Sequence, residues 1–165
     1  MVLLKTAWYT TILPCRIGRL VATGELGTDD FVHFGTYLGA SFQIRDDVLN
    51  LDGAVETYGK EIGGDIHEGK RTLALIHLLR SCTPAERAEV IEIYRRPREG
   101  RGVCEIARVI GLMHEHGSIE HASSASHGLA GAAIAALDDE LAGLPDSDHA
   151  RLLRGLVPHL IGRRR

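Results

Sequence analysis

Two adjacent carboxylates, Asp46-Asp47, and two lysines, Lys60 and Lys70, lie within the stretch FQIRDDVLNLDGAVETYGKEIGGDIHEGKRT at residues 42–72. Carboxylate oxygens suit Mg²⁺, lysine ammonium groups suit phosphate oxygens, and the interspersed glycines let backbone N–H groups approach an anion. Together they suggest a site for magnesium and a diphosphate. On a helix rising about 1.5 Å per residue, Gln43, Asp46 and Asn50 share one face, with Asp47 beside it. Two carboxylates and an amide then come within reach of one ligand. An adjacent Asp pair is costly to bury because each charge raises the other's pKa, and a divalent cation removes that cost. The alternative is a solvated helix end, where Asp-Asp pairs are common. Here Phe42, Ile44, Val48, Leu49 and Leu51 surround the pair.

The elements that must position these groups read as helical nearly throughout. A first helix is expected from about residue 4 to 22, bent at Pro14 and closed near Gly24. Thr28-Asp29-Asp30 reads as the capped start of a second helix running to about Asp52, with Phe31, Phe34, Leu38, Phe42 and Leu49 at helical spacing. Gly35 and Gly39, one turn apart, would let a neighbouring helix approach closely. Residues 53–69 form a turn-rich connection, followed by a helix over about 70–81. Thr83-Pro84-Ala85-Glu86 carries a capping-box signature for the next helix. Further helices are expected at about 84–95, 102–116, 118–143 and 147–162. The run from Ala122 to Ala136 is rich in small residues and suits tight helix packing. The expectation is one all-α domain spanning residues 1–165.

Composition narrows the function classes. The 165 residues carry a formal net charge of −3, which gives no electrostatic basis for binding nucleic acid. Cys15, Cys82 and Cys104 are odd in number, widely spaced and outside any C-x-x-C pair, as expected of a reduced cytoplasmic protein with buried or inert thiols. No segment has the length and apolarity of a transmembrane span. Asp138-Asp139-Glu140 reads as a solvated helix end. His114 and His116 diverge on a helix, which argues against a zinc site built with His121 and His127.

The sequence FQIRDDVLNL resembles the F-Q-x-x-D-D-x-x-D helix of the trans-isoprenyl diphosphate synthases, or polyprenyl synthetases, with Asn50 in place of the last aspartate. Residues 59–72, GKEIGGDIHEGKRT, resemble that family's G-K-x-x-G-x-D-I-x-x-x-K-x-T segment. Lys5-Thr6 matches its K-T segment upstream, and Gly24-Glu25-Leu26 its helix-terminating G-E-L. The likeness covers about residues 3–82 with specific motifs. It implies an all-α helical bundle of the isoprenoid synthase type, truncated because the helices of the N-terminal half are missing. It further implies that Asp46 binds Mg²⁺ on an allylic diphosphate, with Asp47 in support and Asn50 offering an amide oxygen of lower charge. By the same resemblance Lys60, Lys5, Thr6, Gln43 and Lys70 face the diphosphate, and Asp65 orders the loop. Asp46, Asp47 and Lys60 are thus the expected catalytic set. Trp8 and Tyr9 are expected as core aromatics.

The family's first aspartate-rich region has no counterpart in this chain, and neither do the basic residues for isopentenyl diphosphate. The reaction implied by the resemblance is a Mg²⁺-dependent condensation of an allylic prenyl diphosphate with isopentenyl diphosphate, incomplete here without a partner or a missing N-terminal half. A half-bundle exposes a wide apolar face, so a homo-oligomer or a hetero-oligomer with an N-terminal-half protein is expected. Two alternatives stay open: a terpene cyclase-like enzyme acting on one substrate, and a non-catalytic regulatory subunit of an intact synthase.

Overall fold

The computed structural model describes residues 3–52, 62–142 and 147–162. Among these residues every regular element is helical, as the sequence periodicity predicts. Helices that cross a membrane are not among them, since none is long and apolar enough.

The chain opens with a π-helical segment, Leu3–Ile12, that passes into helix α1, Leu13–Thr23. Pro14 lies in the first turn of α1, where its missing N–H costs nothing. The interruption expected at this proline therefore takes the form of a change in helix type. Gly24 closes α1 in the left-handed conformation at φ 73°, its N–H bonded to the Leu20 carbonyl. No residue of α1 is buried. Trp8 (44% exposed) and Tyr9 (73%) lie on the surface, against the expectation that they are core aromatics.

Helix α2, Val32–Asp52, begins later than its sequence suggests. Asp30 does not cap it. Its carboxylate accepts from the Gly27 N–H at 2.7 Å and pairs with Arg19 at 2.8 Å. Phe31 instead takes a positive φ of 58°, and its N–H is accepted by the Glu140 carboxylate at 2.7 Å. Glu140 is thus engaged, not a solvated helix end, and Asp138 pairs with Arg154 at 2.6 Å. The remaining helices are α3 (Gly64–His67), α4 (Leu73–Ser81), α5 (Pro84–Arg95), α6 (Val103–Glu115), α7 (Ser118–Glu140) and α8 (Asp148–Ile161). The single turn α3 sits inside what the sequence marks as a plain connection. Helix α5 carries the expected capping box: the Glu86 N–H donates to Thr83 Oγ1 at 3.3 Å, and the Thr83 N–H donates to Glu86 at 2.9 Å.

The described residues form two compact units, Met1–Gln43 with Ala125–Arg164, and Ile44–Ser124. In the first, Phe31, Phe34, Leu38, Ala130, Ala133, Leu137 and Val157 make the core. Ser41 and Ser126 bond reciprocally inside it, each hydroxyl donating to the other's carbonyl at 2.7 and 2.9 Å. Such pairing offsets the cost of burying two hydroxyls and lets small residues bring helices close. In the second unit Val48, Leu51, Ile66, Leu75, Leu78, Val90, Ile93, Val109, Leu112 and Met113 form the core. Full burial of each such aliphatic side chain contributes about 1.5–3 kcal/mol. Of the three thiols, Cys82 is buried, Cys15 partly so, and Cys104 is exposed.

Candidate functional site

Helix α2 carries Asp46 and Asp47 near its C-terminal end, both half-buried and both engaged by neighbouring groups. One turn further along, Asn50 is buried at 7% exposure. Its Oδ1 accepts the backbone N–H of Asp65 at 3.0 Å, and its own carbonyl accepts the Gly63 N–H at 2.9 Å. The end of the carboxylate helix is thereby stitched to the start of α3. Sequence reasoning places Asn50 on the face of Asp46 but does not reveal this attachment, because the partner lies fifteen residues away in sequence.

Glycine is required where this loop turns. Gly63 has φ 73°, and a Cβ there would lie 2.5 Å from Ile106 Cγ2. Helix α3 then presents Asp65, buried at 7% exposure, toward Lys70. The Lys70 Nζ donates to Asp65 Oδ1 at 2.5 Å and lies 3.3 Å from Glu68. The Lys70 N–H also donates to the Asp65 carbonyl at 2.9 Å. The hydrogen bond to Asp65 holds the Lys70 ammonium above the usual lysine range, so it is cationic at neutral pH. About half of this side chain is exposed.

The other side of the loop is held by a residue that sequence reasoning missed. Arg101 is buried at 9% exposure. Its guanidinium donates to the carbonyls of His67 at 2.7 Å, Tyr94 at 3.0 Å, Ile93 at 3.3 Å and Ile66 at 3.5 Å. Burial pushes the phenol of Tyr94 up, while the nearby Arg101 charge acts in the opposite direction. An isolated arginine between glycines carries no motif that would have singled it out.

In the first unit, the Thr6 hydroxyl donates to Gln43 Oε1 at 3.3 Å. The two helices meet there because Gly39 has no side chain: a Cβ would sit 2.5 Å from the Ala7 Cα, and one at Gly35 would sit 2.3 Å from Ile12 Cγ1. The backbone of Lys5 belongs to the same π-helical segment, but its side chain lies outside what is described, as does all of Lys60.

The paired carboxylates, a buried amide and a loop with a charged lysine are the donor types of a magnesium-diphosphate site. Among the described residues no three His, Cys, Asp or Glu side chains converge to cage a metal ion.

A profile of the family described as Polyprenyl synthetase matches residues 1–112. Octaprenyl diphosphate synthase of Escherichia coli (strain K12) is 37% identical over 133 residues, which is 81% of this chain and 38% of that protein. Heptaprenyl diphosphate synthase component 2 of Geobacillus stearothermophilus is 33% identical over 151 residues, covering 91% of this chain and 44% of its own length. Among solved structures, geranylgeranyl pyrophosphate synthase from Corynebacterium glutamicum, complexed with isoprenyl diphosphate and magnesium, superimposes with a TM-score of 0.78 at 30% identity. That match covers 97% of this chain and 44% of the other. The chain thus spans less than half the length of the relatives it matches.

Proposed function

Because this chain belongs to the polyprenyl synthetase family, we propose that it provides one acidic wall and the diphosphate-holding loop of a prenyltransferase. The reaction is the condensation of an allylic diphosphate with isopentenyl diphosphate. One observation carries the proposal: Asn50 and Lys70 both bond to Asp65, so the end of the Asp46-Asp47 helix and the lysine loop form one connected unit. A diphosphate bound there meets carboxylates through a cation and a lysine directly.

In this proposal Asp46 and Asp47 hold Mg²⁺ in common with the diphosphate. Bound Mg²⁺ would neutralise the diphosphate and so ease departure of that group from the allylic carbon. The chain's own residues bind and orient. Lys70 lies against the phosphate oxygens without giving up its proton, since Asp65 keeps it charged. Lys60, Lys5, Thr6 and Gln43 are proposed to extend the diphosphate contacts. Asn50 holds the loop in register with α2 and adds no negative charge.

The condensation needs a second acidic wall and a site for isopentenyl diphosphate, supplied by a second polypeptide or by further residues of a longer chain. The unburied face of α1 supports this requirement: Ile17 is 52% exposed and Val21 is 82% exposed, on a helix otherwise patterned for packing. A relative that is itself named as component 2 of a synthase supports assembly with a different chain over self-assembly. A cytoplasmic location belongs to the same proposal.

The decisive experiment is a Mg²⁺-dependent assay of the purified chain with an allylic diphosphate and isopentenyl diphosphate, alone and mixed with an N-terminal-half protein. Chain elongation on mixing alone is the expected outcome. Product formed from the allylic diphosphate without partner or second substrate would favour a cyclase-like enzyme instead. Tight diphosphate binding without turnover in any mixture would make the chain a regulatory subunit.

A further inference from the structure

Arg101 is a buried cation whose guanidinium donates to backbone carbonyls. Two of them, Ile66 and His67, belong to α3, and two, Ile93 and Tyr94, belong to the last turn of α5. Carbonyls near a helix C-terminus lack intrahelical partners and carry partial negative charge. The Ile66 and Ile93 carbonyls also accept the N–H groups of Gly69 and Arg96, so the guanidinium serves chiefly His67 and Tyr94, one carbonyl at each helix end, and those ends compensate its charge. The guanidinium also lies over the Tyr94 ring, 5.7 Å from its centroid.

A four-residue helix is far too short to hold itself together in water, where the cost of nucleation dominates. Its geometry must be imposed from outside. Asn50 fixes its start through the N–H groups of Gly63 and Asp65. Arg101 fixes its end. The space for the guanidinium exists because Gly69 has no side chain: a Cβ there would lie 2.8 Å from both Nη1 and Nη2, and the residue takes φ 73°.

We propose that Arg101 is the positioning residue of the diphosphate loop, clamping the C-terminal end of α3 so that Asp65 and Lys70 keep their geometry while ligand binds and leaves. This rests on the diphosphate reading of the site, but the clamp itself is observable without ligand. Lysine cannot replace it. An ammonium has three donors radiating from one point, and it cannot span carbonyls on two separate helices as the planar fork does.

The test compares the wild-type chain with Arg101→Lys, and with Arg101→Gln, whose shorter planar amide can reach only one of the two helix ends. Amide hydrogen exchange over residues 63–70 is measured without ligand, together with the thermal midpoint. Inorganic pyrophosphate affinity in the presence of Mg²⁺ is measured by calorimetry. Both variants are expected to accelerate exchange at residues 66–70 by about tenfold or more, with exchange in α7 unchanged, since one or two charge-assisted hydrogen bonds are lost. Pyrophosphate affinity falls by about tenfold in Arg101→Lys and the thermal midpoint drops by a few degrees, while the exchange gain is greatest at residues 66–70, a localisation that a general packing role would not produce. Wild-type loop exchange or wild-type affinity in Arg101→Lys overturns the proposal. If that variant does not fold, the same two measurements on Arg101→Gln decide. If the wild-type chain fails to bind pyrophosphate while the variants still loosen the loop, the diphosphate reading fails and the clamp stands.

Discussion

The Oδ1 atom of Asn50 accepts the backbone N–H of Asp65 at 3.0 Å in a buried setting, joining the last turn of the carboxylate helix to the first turn of α3. In the family motif an aspartate occupies this position, and either side chain offers an oxygen to that N–H. What differs is the charge. The amide keeps the connection and gives up one negative charge beside Asp46.

Asn50→Ala is therefore expected to cost about 1–3 kcal/mol of stability, because the Asp65 N–H would be left buried without an acceptor. Asn50→Asp keeps the acceptor and is expected to bind Mg²⁺ with pyrophosphate more tightly than the wild type. Urea denaturation and calorimetric titration check the two halves. Equal Mg²⁺ affinity in Asn50→Asp would mean that residue 50 does not sense the metal.

Asp46→Ala is expected to abolish Mg²⁺-dependent pyrophosphate binding and to leave the far-ultraviolet circular dichroism unchanged. The carboxylate is half-buried on a helix surface, so removing it takes away no core packing. Survival of binding in this variant would move the metal site elsewhere.

Gly39→Ala forces a Cβ to within 2.5 Å of the Ala7 backbone, which cannot yield as a flexible side chain would. The expected cost is about 1–3 kcal/mol, as for overpacking elsewhere in protein cores. The same shift should separate Thr6 from Gln43. A thermal midpoint equal to wild type would show that the π-helical segment accommodates the methyl group.

The imidazoles of His77 and His121 stack with centroids 4.2 Å apart, and His77 Nδ1 lies 3.0 Å from Ser118 Oγ. His116, the other charge acting on His77, is itself paired with Glu86 at 3.1 Å. Burial, then the neighbouring His121 and His116, hold the His77 pKa below its ordinary value of 6.5. The unfolded chain therefore takes up this proton more readily than the folded one. The linked stability is present above about pH 6.5 and is lost as pH falls through that value toward the folded pKa. The thermal midpoint of wild type should drop between pH 7 and pH 5, and His77→Gln should flatten that part of the drop. An identical pH profile in the variant would assign the acid sensitivity to other groups.

Residue order alone made the helices legible, because their signals are local. The capping box at Thr83 and Glu86, the left-handed stop at Gly24 and the apolar spacing from Phe34 to Leu38 each operate within one or two turns. The start of α2 was misplaced for the complementary reason. Asp30 is held by its neighbour Gly27 and by Arg19, and the Phe31 N–H by the distant Glu140, so partners outside the helix outcompeted the cap. Trp8 and Tyr9 misled because aromatic character gives no direction, and they face away from the buried Ala7.

Types and spacing also suggested a chemistry for residues 42–72, since carboxylates on one helical face and lysines among glycines are written directly in the chain. Which atoms of that stretch hold one another was settled by folding. Asn50 meets Asp65 because the end of α2 and α3 share one core, and Arg101 reaches α3 and the last turn of α5 together. Helical periodicity is a property of neighbours in sequence, whereas a buried donor finds its acceptor through whatever backbone the packed core brings to it.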